Sequence, residues 1–397
     1  MAMNPLNLEP RLQAILAQEY PRFSDAEYAR RQAALGAAMQ KHGVDHLLVV
    51  STNRAGNATQ WLTGWPGTVE ALTVFKPGER MVMHMEWHNH IPLARKIARD
   101  VEVHWGEHQG IVKTIAELKR RGAKTVGVMG PLPAGKLRQL EAAFAVKSLD
   151  ADYTRLRMIK SAEELDWLTI GAALSDAGLA ALMAGAQPGL DERELSALVE
   201  SGYLKHGGTT MIHYIGCTPM AAPEIHVPRQ HPSPRKLAVG DVLFCELSAF
   251  WWDYAGQVLR TMTVGAEPTP LYRDLHKTAE DAFDAVTAVI RAGTTMQEIV
   301  DAAGLIEARG FTVCDDLLHG FGGGYFQPIL GSRSRPAGKL PDMVLEENMT
   351  VVVQPNVTST EADEDRRAGV QVGEMIRVTK TGFARMHRAE RRLFRLA

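Results

Sequence analysis

Two spacings of apolar residues alternate along the first third of the chain. Residues 25–42 repeat them at helical intervals (Tyr28, Ala33, Leu35, Met39), with Ser24 as N-cap, Glu27 completing a capping box and Gly43 as the stop. Residues 46–52 are a short apolar run, which predicts a buried strand. Residues 68–75 and 79–85 flank Lys76-Pro77-Gly78 and predict a hairpin. Helix at 90–97, strand at 101–105, helix at 111–121, strand at 125–129 and helix at 134–144 follow, so an α/β unit ends near residue 150. Residues 1–23 read as an arm with one short helix.

The pattern then changes. Ser161 and Glu164 form a second capping box, which opens an amphipathic helix reaching about Ala184. Pro188-Gly189 breaks it, and Asp191 starts another helix to about His206. Residues 207–240 read as a polar loop holding His213, His226, His231 and five prolines. Strands at 241–247 and 257–264 form a hairpin whose turn carries Gly256 and the aromatics Phe250, Trp251, Trp252 and Tyr254. Helices at 271–291 and 295–309, a glycine-rich loop at 318–328, and strands at 349–357 and 369–379 complete the chain. Paired helices and hairpin strands give an α+β architecture of two domains, 1–155 and 156–397.

Composition narrows the class. At 397 residues, 45% hydrophobic and 23% charged, the chain has the makeup of an ordinary globular protein. A net charge of −2 argues against nucleic acid or an anionic membrane as partner. Three cysteines without a CxxC fit a reducing cytoplasm, and the opening residues contain no apolar run of membrane-spanning length. A cytoplasmic location without membrane or nucleic-acid partners is therefore expected.

The chemistry centres on the hairpin. A carboxylate inside an apolar strand costs several kcal/mol unless it is paired or used, and Glu246 stands in such a strand. Arg260 on the adjacent strand is its structural partner in one reading; in the other, Glu246 is a general base or nucleophile. Trp251, Trp252, Tyr254 and Phe326 are candidate binding walls, with core or subunit contacts as the plainer alternative. Asn53, Arg54, Trp61 and Trp65 read as a surface loop of the first domain. His84, His88 and His90 lack a carboxylate at ligand spacing and do not make a metal motif.

These residues resemble the creatinase / aminopeptidase P / methionine aminopeptidase superfamily, peptidase family M24, with its "pita-bread" fold. The resemblance runs through Trp61-Leu62-Thr63-Gly64, Lys160-Ser161 with Glu164, Gly240-Asp241, Arg260-Thr261, Val264-Gly265, His319-Gly320-Phe321-Gly322, Pro355 and Gly369-Val370. It implies a creatinase-type N-terminal α/β domain, a pita-bread catalytic domain and a homodimer. In the family, Asp, Asp, His, Glu and Glu hold two metal ions. Carried over, these positions fall on Glu246, Gln257, His319, Gln354 and Gly373, or on Glu374 if the register slips. The substrate-side histidine falls on His226, and a second histidine falls on Phe326.

Two hard cations about 3.5–4 Å apart need several carboxylates. The carried-over set offers one, so the expectation is no cofactor, with a single divalent metal at Glu246, His319 and Glu374 as the alternative. The implied function is a creatinase-like hydrolase of a C–N bond in a small nitrogenous molecule. His226, Glu246 and His319 are its expected catalytic residues, and Gln257, Gln354, Arg260 and the aromatic walls its substrate contacts. An Xaa-Pro-type peptidase, a silent binding protein and a lyase on the same scaffold stay open.

Overall fold

The computed structural model describes residues 6–53 and 55–397. Ala17–Arg157 makes one compact unit; Met158–Ala397, joined by the N-terminal segment ending at Leu16, makes the other.

The first unit is a six-stranded mixed sheet in the order Val101–Trp105, Met81–Met85, Ala71–Phe75, His46–Ser51, Thr125–Met129, Ala145–Ser148. Leu48, Val50, Leu72 and Val74 form its core with Ile111 and Leu118 from the helix Gly110–Arg120. Helix Asp25–His42 has the expected ends: Ser24 Oγ accepts from the Glu27 amide, and Gly43 stops it at φ 61°. The Glu27 carboxylate, however, turns to Arg30 and Arg31 instead of back to Ser24. Fully buried Arg31 needs that charge more than the helix end does.

Three elements of this unit escape the pattern: helix Ala58–Thr63, strand Ala145–Ser148 and helix Asp150–Met158. Trp61 and Trp65 are core residues, and the Trp61 ring stands edge-on to Tyr153 at 5.6 Å. Asn53 is exposed, and Arg54 lies outside the described residues.

The second unit is a nine-stranded sheet. Its main path runs Tyr325–Leu330, Leu318–Phe321, Thr350–Val353, Gly373–Val378, Tyr254–Val264, Asp241–Trp251, Thr209–Pro219. Neighbours on this path are antiparallel. The strand Thr209–Pro219 occupies what the prolines suggested was loop. The central hairpin is longer than expected, because Trp252 and Asp253 (φ 50° and 66°) make a two-residue turn directly between Trp251 and Tyr254. Gly256 is therefore a strand residue. A Cβ there would stand 2.5 Å from Ala172 Cα, so its role is to let helix Ala162–Gly185 press onto the sheet.

That helix opens on the complete Ser161/Glu164 capping box. It is the one helix among the described residues with the length and apolarity to cross a membrane, yet half of its most apolar window is buried in the protein. The glycine-rich stretch is a hairpin, Leu318–Phe321 with Tyr325–Leu330, and the expected helix at 295–309 is broken into Met296–Ala302 and Leu305–Ala308.

Strand pairing sorts the side chains into two faces. Glu246 pairs with Leu259 and Ser248 with Gln257; Leu259 pairs with Gly373, and His319 with Val352, which precedes Gln354 by two. Glu246, Ser248, Gln257, Gly373, Gln354 and His319 thus share one face. The other face carries Gly256, Arg260, Val351, Val353 and Glu374, and it is this face that the helices Ala162–Gly185 and Pro270–Val289 cover.

Candidate active site

The face that carries Glu246 holds buried polar groups where an all-structural sheet would hold apolar ones. Glu246 is 6% exposed and accepts a hydrogen bond from Gln257 Nε2. Among the described residues no cation pairs with it. Burial, reinforced by the charges of Asp315 and Asp316, pushes its carboxyl up to about 8, so at neutral pH it holds a proton. Asp316 is itself pushed up to about 6, by burial and then by Asp315.

His319 is 1% exposed, and burial pulls its basicity down, so it is neutral. Its Nδ1 stands 3.2 Å from the Gly320 carbonyl, which only a protonated Nδ1 can satisfy. Nε2 meets no partner among the described residues at strict hydrogen-bond geometry, but the Gln354 side chain lies near enough to act on the ring as a hydrogen-bond partner. Gln354 donates from Nε2 to Asp315 at 3.4 Å, and its side chain stands beside the His319 ring. Gln257 gives its Nε2 to Glu246, and its side chain also acts as a hydrogen-bond partner of the Tyr325 hydroxyl. Tyr325 packs on His319 with ring centroids 4.7 Å apart, and its hydroxyl lies within the influence of Glu246 and Gln257. The arrangement therefore couples a protonated carboxyl, a neutral imidazole and two side-chain amides, which is equipment for moving protons around a small polar molecule.

Glu246, Gln257, His319 and Gln354 are thus on one face as expected. The other expected residues are elsewhere. Arg260 points to the opposite face and bonds Glu374 at 2.7 Å, so it neither partners Glu246 nor meets substrate beside it. Trp251 and Tyr254 also face the helix layer: both rings stack edge-on to Trp167, and the Tyr254 hydroxyl donates to Glu164. Trp252 is displaced into the turn. Phe326 is buried under the Lys160 ammonium, 4.5 Å from its ring centroid. In each case the two-residue period of the strand decides the side.

His226 stands with Arg367, Glu364 and Arg335. Burial and then Arg367 hold it below its ordinary range. The charged groups that act on it most strongly are these three and not Glu246. Asp315 and Asp316 are the residues beside Glu246 that sequence reasoning missed, and an adjacent pair of acids just before an apolar strand was their only signal.

Comparisons with known proteins bear on this geometry. A family model, Metallopeptidase family M24, matches residues 166–380. The "Xaa-Pro dipeptidase" of Pyrococcus horikoshii is 24% identical over 287 residues, covering 68% of this chain and 75% of its own length. Among solved structures, the Xaa-Pro dipeptidase from Bacillus anthracis superposes with a TM-score of 0.79 at 21% identity, covering 93% of this chain and 100% of that one. The X-Pro aminopeptidase from Thermotoga maritima gives 0.78 at 17%, covering 92% and 99%. Both share the pita-bread fold with its N-terminal α/β domain.

The family match corrects the expectation of no cofactor, because a metallopeptidase family implies bound metal. The side chains at the implied positions do not fit a metal pair. One carboxyl, one imidazole and two amides offer too little negative charge. A Cβ on Gly373 would stand 2.6 Å from the Val353 carbonyl oxygen, so the fifth position has no side chain and no room for one. The single-metal alternative at Glu246, His319 and Glu374 is excluded by topology, since Glu374 is on the helix-covered face between Arg260 and Arg385. Among the described residues no three His, Cys, Asp or Glu side chains converge on one point.

Proposed function

The chain belongs to metallopeptidase family M24, a family of hydrolases acting on C–N bonds, and from that premise we propose that it hydrolyses such a bond in a small nitrogenous compound, in the manner of creatinase. The observation that carries the reading is the buried, cation-free Glu246 held by Gln257 on the same face as neutral His319.

Hydrolysis of a C–N bond needs a base for water and an acid for the departing nitrogen. His319 Nε2, with Nδ1 committed to the Gly320 carbonyl, accepts the proton of the attacking water. Glu246, whose carboxyl retains its proton at neutral pH, donates it to the leaving nitrogen as the C–N bond breaks. Gln257 fixes the Glu246 carboxyl, and Gln354 braces Asp315 at the open side. The products are a carboxylic acid or its equivalent and an amine. Glu246→Gln is isosteric but has no proton to give. It should lower turnover by about 10²–10⁴-fold while leaving substrate affinity within a few-fold; unchanged turnover on an identified substrate would refute the assignment.

The likeness to the Xaa-Pro dipeptidase of P. horikoshii supports a second substrate class, Xaa-Pro dipeptides, and an assay panel should hold both. A cytoplasmic setting is consistent with three free cysteines, Cys217, Cys245 and Cys314. A homodimer would give exposed Trp87 and Trp105 of the first unit a surface to bury against.

A further inference from the structure

The sheet of the first unit carries a pair of histidines that the candidate active site does not use. His84 lies on strand Met81–Met85, and His104 is its direct partner on the edge strand Val101–Trp105. His84 also pairs with Leu72, so both imidazoles stand on the face that helix Gly110–Arg120 covers through Ile111 and Leu118. The helix packs chiefly on the two strands before the edge. Glu102 and His104 are therefore about half exposed, and a groove of about 530 Å³ separates them from Lys113, Glu117 and Arg120 of the helix.

His84 is prepared as a ligand at the floor of this groove. It is 8% exposed, and its Nδ1 meets Thr114 Oγ1 of the helix at 3.1 Å. Donation of Nδ1–H to that hydroxyl leaves Nε2 as a lone pair, the service that an outer-sphere partner renders a metal-binding histidine. Burial, and then the nearness of His104, pull His84 down to about 4, so it is neutral and has no proton to shed before binding. The two ring centroids are 6.1 Å apart. Two imidazoles on one zinc ion, with Zn–N about 2.0–2.1 Å, set their centroids about 5–6 Å apart.

The third ligand comes from across the strands. Glu102 Oε2 stands 3.7 Å from His104 Nε2, two residues away on the same face. Among the described residues no three ligands converge as the side chains stand, but this exposed carboxylate has only to turn. The fold thus supplies the acid that sequence spacing around His84 lacks. The cations of the groove are already occupied, Lys113 with Glu107 at 2.7 Å and Arg120 with Glu117 at 2.6 Å. His88 and His90 stay outside: His88 stands edge-on to Trp105, and His90 is bonded to Thr68.

We propose that His84 and His104, completed by Glu102 and water, bind a divalent transition-metal ion of the Zn²⁺ or Cu²⁺ type in the first unit. Two neutral imidazoles and one carboxylate suit such an ion and not Mg²⁺ or Ca²⁺, which take oxygen ligands. None of the three residues belongs to the candidate active site, so the site stands apart from the hydrolase reading.

The test is calorimetric titration of the full chain, stripped of metal by a chelator, with Zn²⁺ and with Mg²⁺, joined to electron paramagnetic resonance of the Cu²⁺-loaded protein. Zn²⁺ should bind without competition from Mg²⁺, and the Cu²⁺ spectrum should carry two imidazole nitrogens. His104→Ala, at a half-exposed position on the edge strand, keeps the fold. It should weaken Zn²⁺ binding about tenfold or more and remove one nitrogen from the spectrum. Thr114→Val, which deletes only the hydroxyl that orients His84, should weaken Zn²⁺ binding about tenfold. His319→Ala should change neither readout. A chain that binds no Zn²⁺ would overturn the proposal, as would wild-type Zn²⁺ affinity in His104→Ala. Loss of Zn²⁺ binding in His319→Ala alone would overturn it too, by placing the ion on the Glu246 face of the other unit.

Discussion

Glu374 and Glu246 are buried glutamates on the same sheet, on strands Gly373–Val378 and Asp241–Trp251, and they face opposite ways. Glu374 meets Arg260 at 2.7 Å and Arg385 at 2.5 Å. Burial pushes its carboxyl up, but the Arg385 hydrogen bonds and the Arg260 charge outweigh that and hold it below the ordinary range. Arg260 goes on to bond the carbonyls of Gly373, Ala389 and Glu390, which ties the C-terminal segment to the sheet. Glu246 has an amide and two more acids for company, and its carboxyl is pushed the other way. Where this fold buries a charge for its own sake it supplies the partner. A buried carboxyl left without one has no structural compensation, which is why the proposed chemistry is built on Glu246.

The largest effect should therefore come from the helix-covered face. Glu374→Ala strands the buried Arg260 and should cost about 3–5 kcal/mol of stability in urea unfolding, with midpoint and not slope changing. A loss under about 1 kcal/mol would erase the distinction between the two faces.

Glu246 should behave in the opposite sense, and pH exposes it. Its folded-state value of about 8 lies above the ordinary 4.5. Between those limits the folded protein keeps a proton that the unfolded chain has released, so the stability it contributes is complete below about pH 4.5 and is lost as pH rises through 8. Glu246→Gln never ionises. It should match the wild type near pH 4 and be more stable by about 2–4 kcal/mol at pH 8, taking about 1.4 kcal/mol per pH unit as the upper rate. Denaturant midpoints of both proteins from pH 4 to 8 check this; parallel curves would mean that Glu246 ionises freely in the folded state.

How much of this was legible beforehand follows from what period and composition can encode. Helix ends written in side chains, Ser161 with Glu164 and Ser24 with Gly43, are found where expected. The first unit's strands at 46–51 and 125–129 declare themselves as short apolar runs, and that at 101–105 by the alternation of Val101 and Val103 with Glu102 and His104. The strand Thr209–Pro219 did not, because its exposed end and terminal proline resemble loop. The faces of the central hairpin were half legible. Alternation puts Glu246 and Gln257 together only once the turn is known to be two residues long, and Trp-Asp at φ 50° and 66° is not the Asn-Gly or Asp-Gly pair that announces such a turn. With the turn set at Gly256 instead, Trp251, Tyr254 and Arg260 could be assigned to the site. The resemblance picked out Glu246, Gln257, His319 and Gln354, which share one face, but not Asp315 and Asp316, which reach Glu246 through folding rather than through any motif.

The smallest effects test the same division one residue apart. Tyr325 and Phe326 are consecutive on a strand, so the pleat sends them to opposite sides: Tyr325 onto His319, Phe326 beneath Lys160. Phe326→Leu gives up the cation–π contact and some packing and should cost about 1 kcal/mol of stability with KM unchanged. Tyr325→Phe keeps the ring against His319 and removes only the hydroxyl near Glu246 and Gln257. It should leave the unfolding midpoint unmoved and raise KM about fivefold, the worth of one hydrogen bond of about 1 kcal/mol. If the two substitutions exchanged their effects, the register of the hairpin after the His319/Gly320 bulge would have to be shifted by one, and with it the side on which His319 presents Nε2.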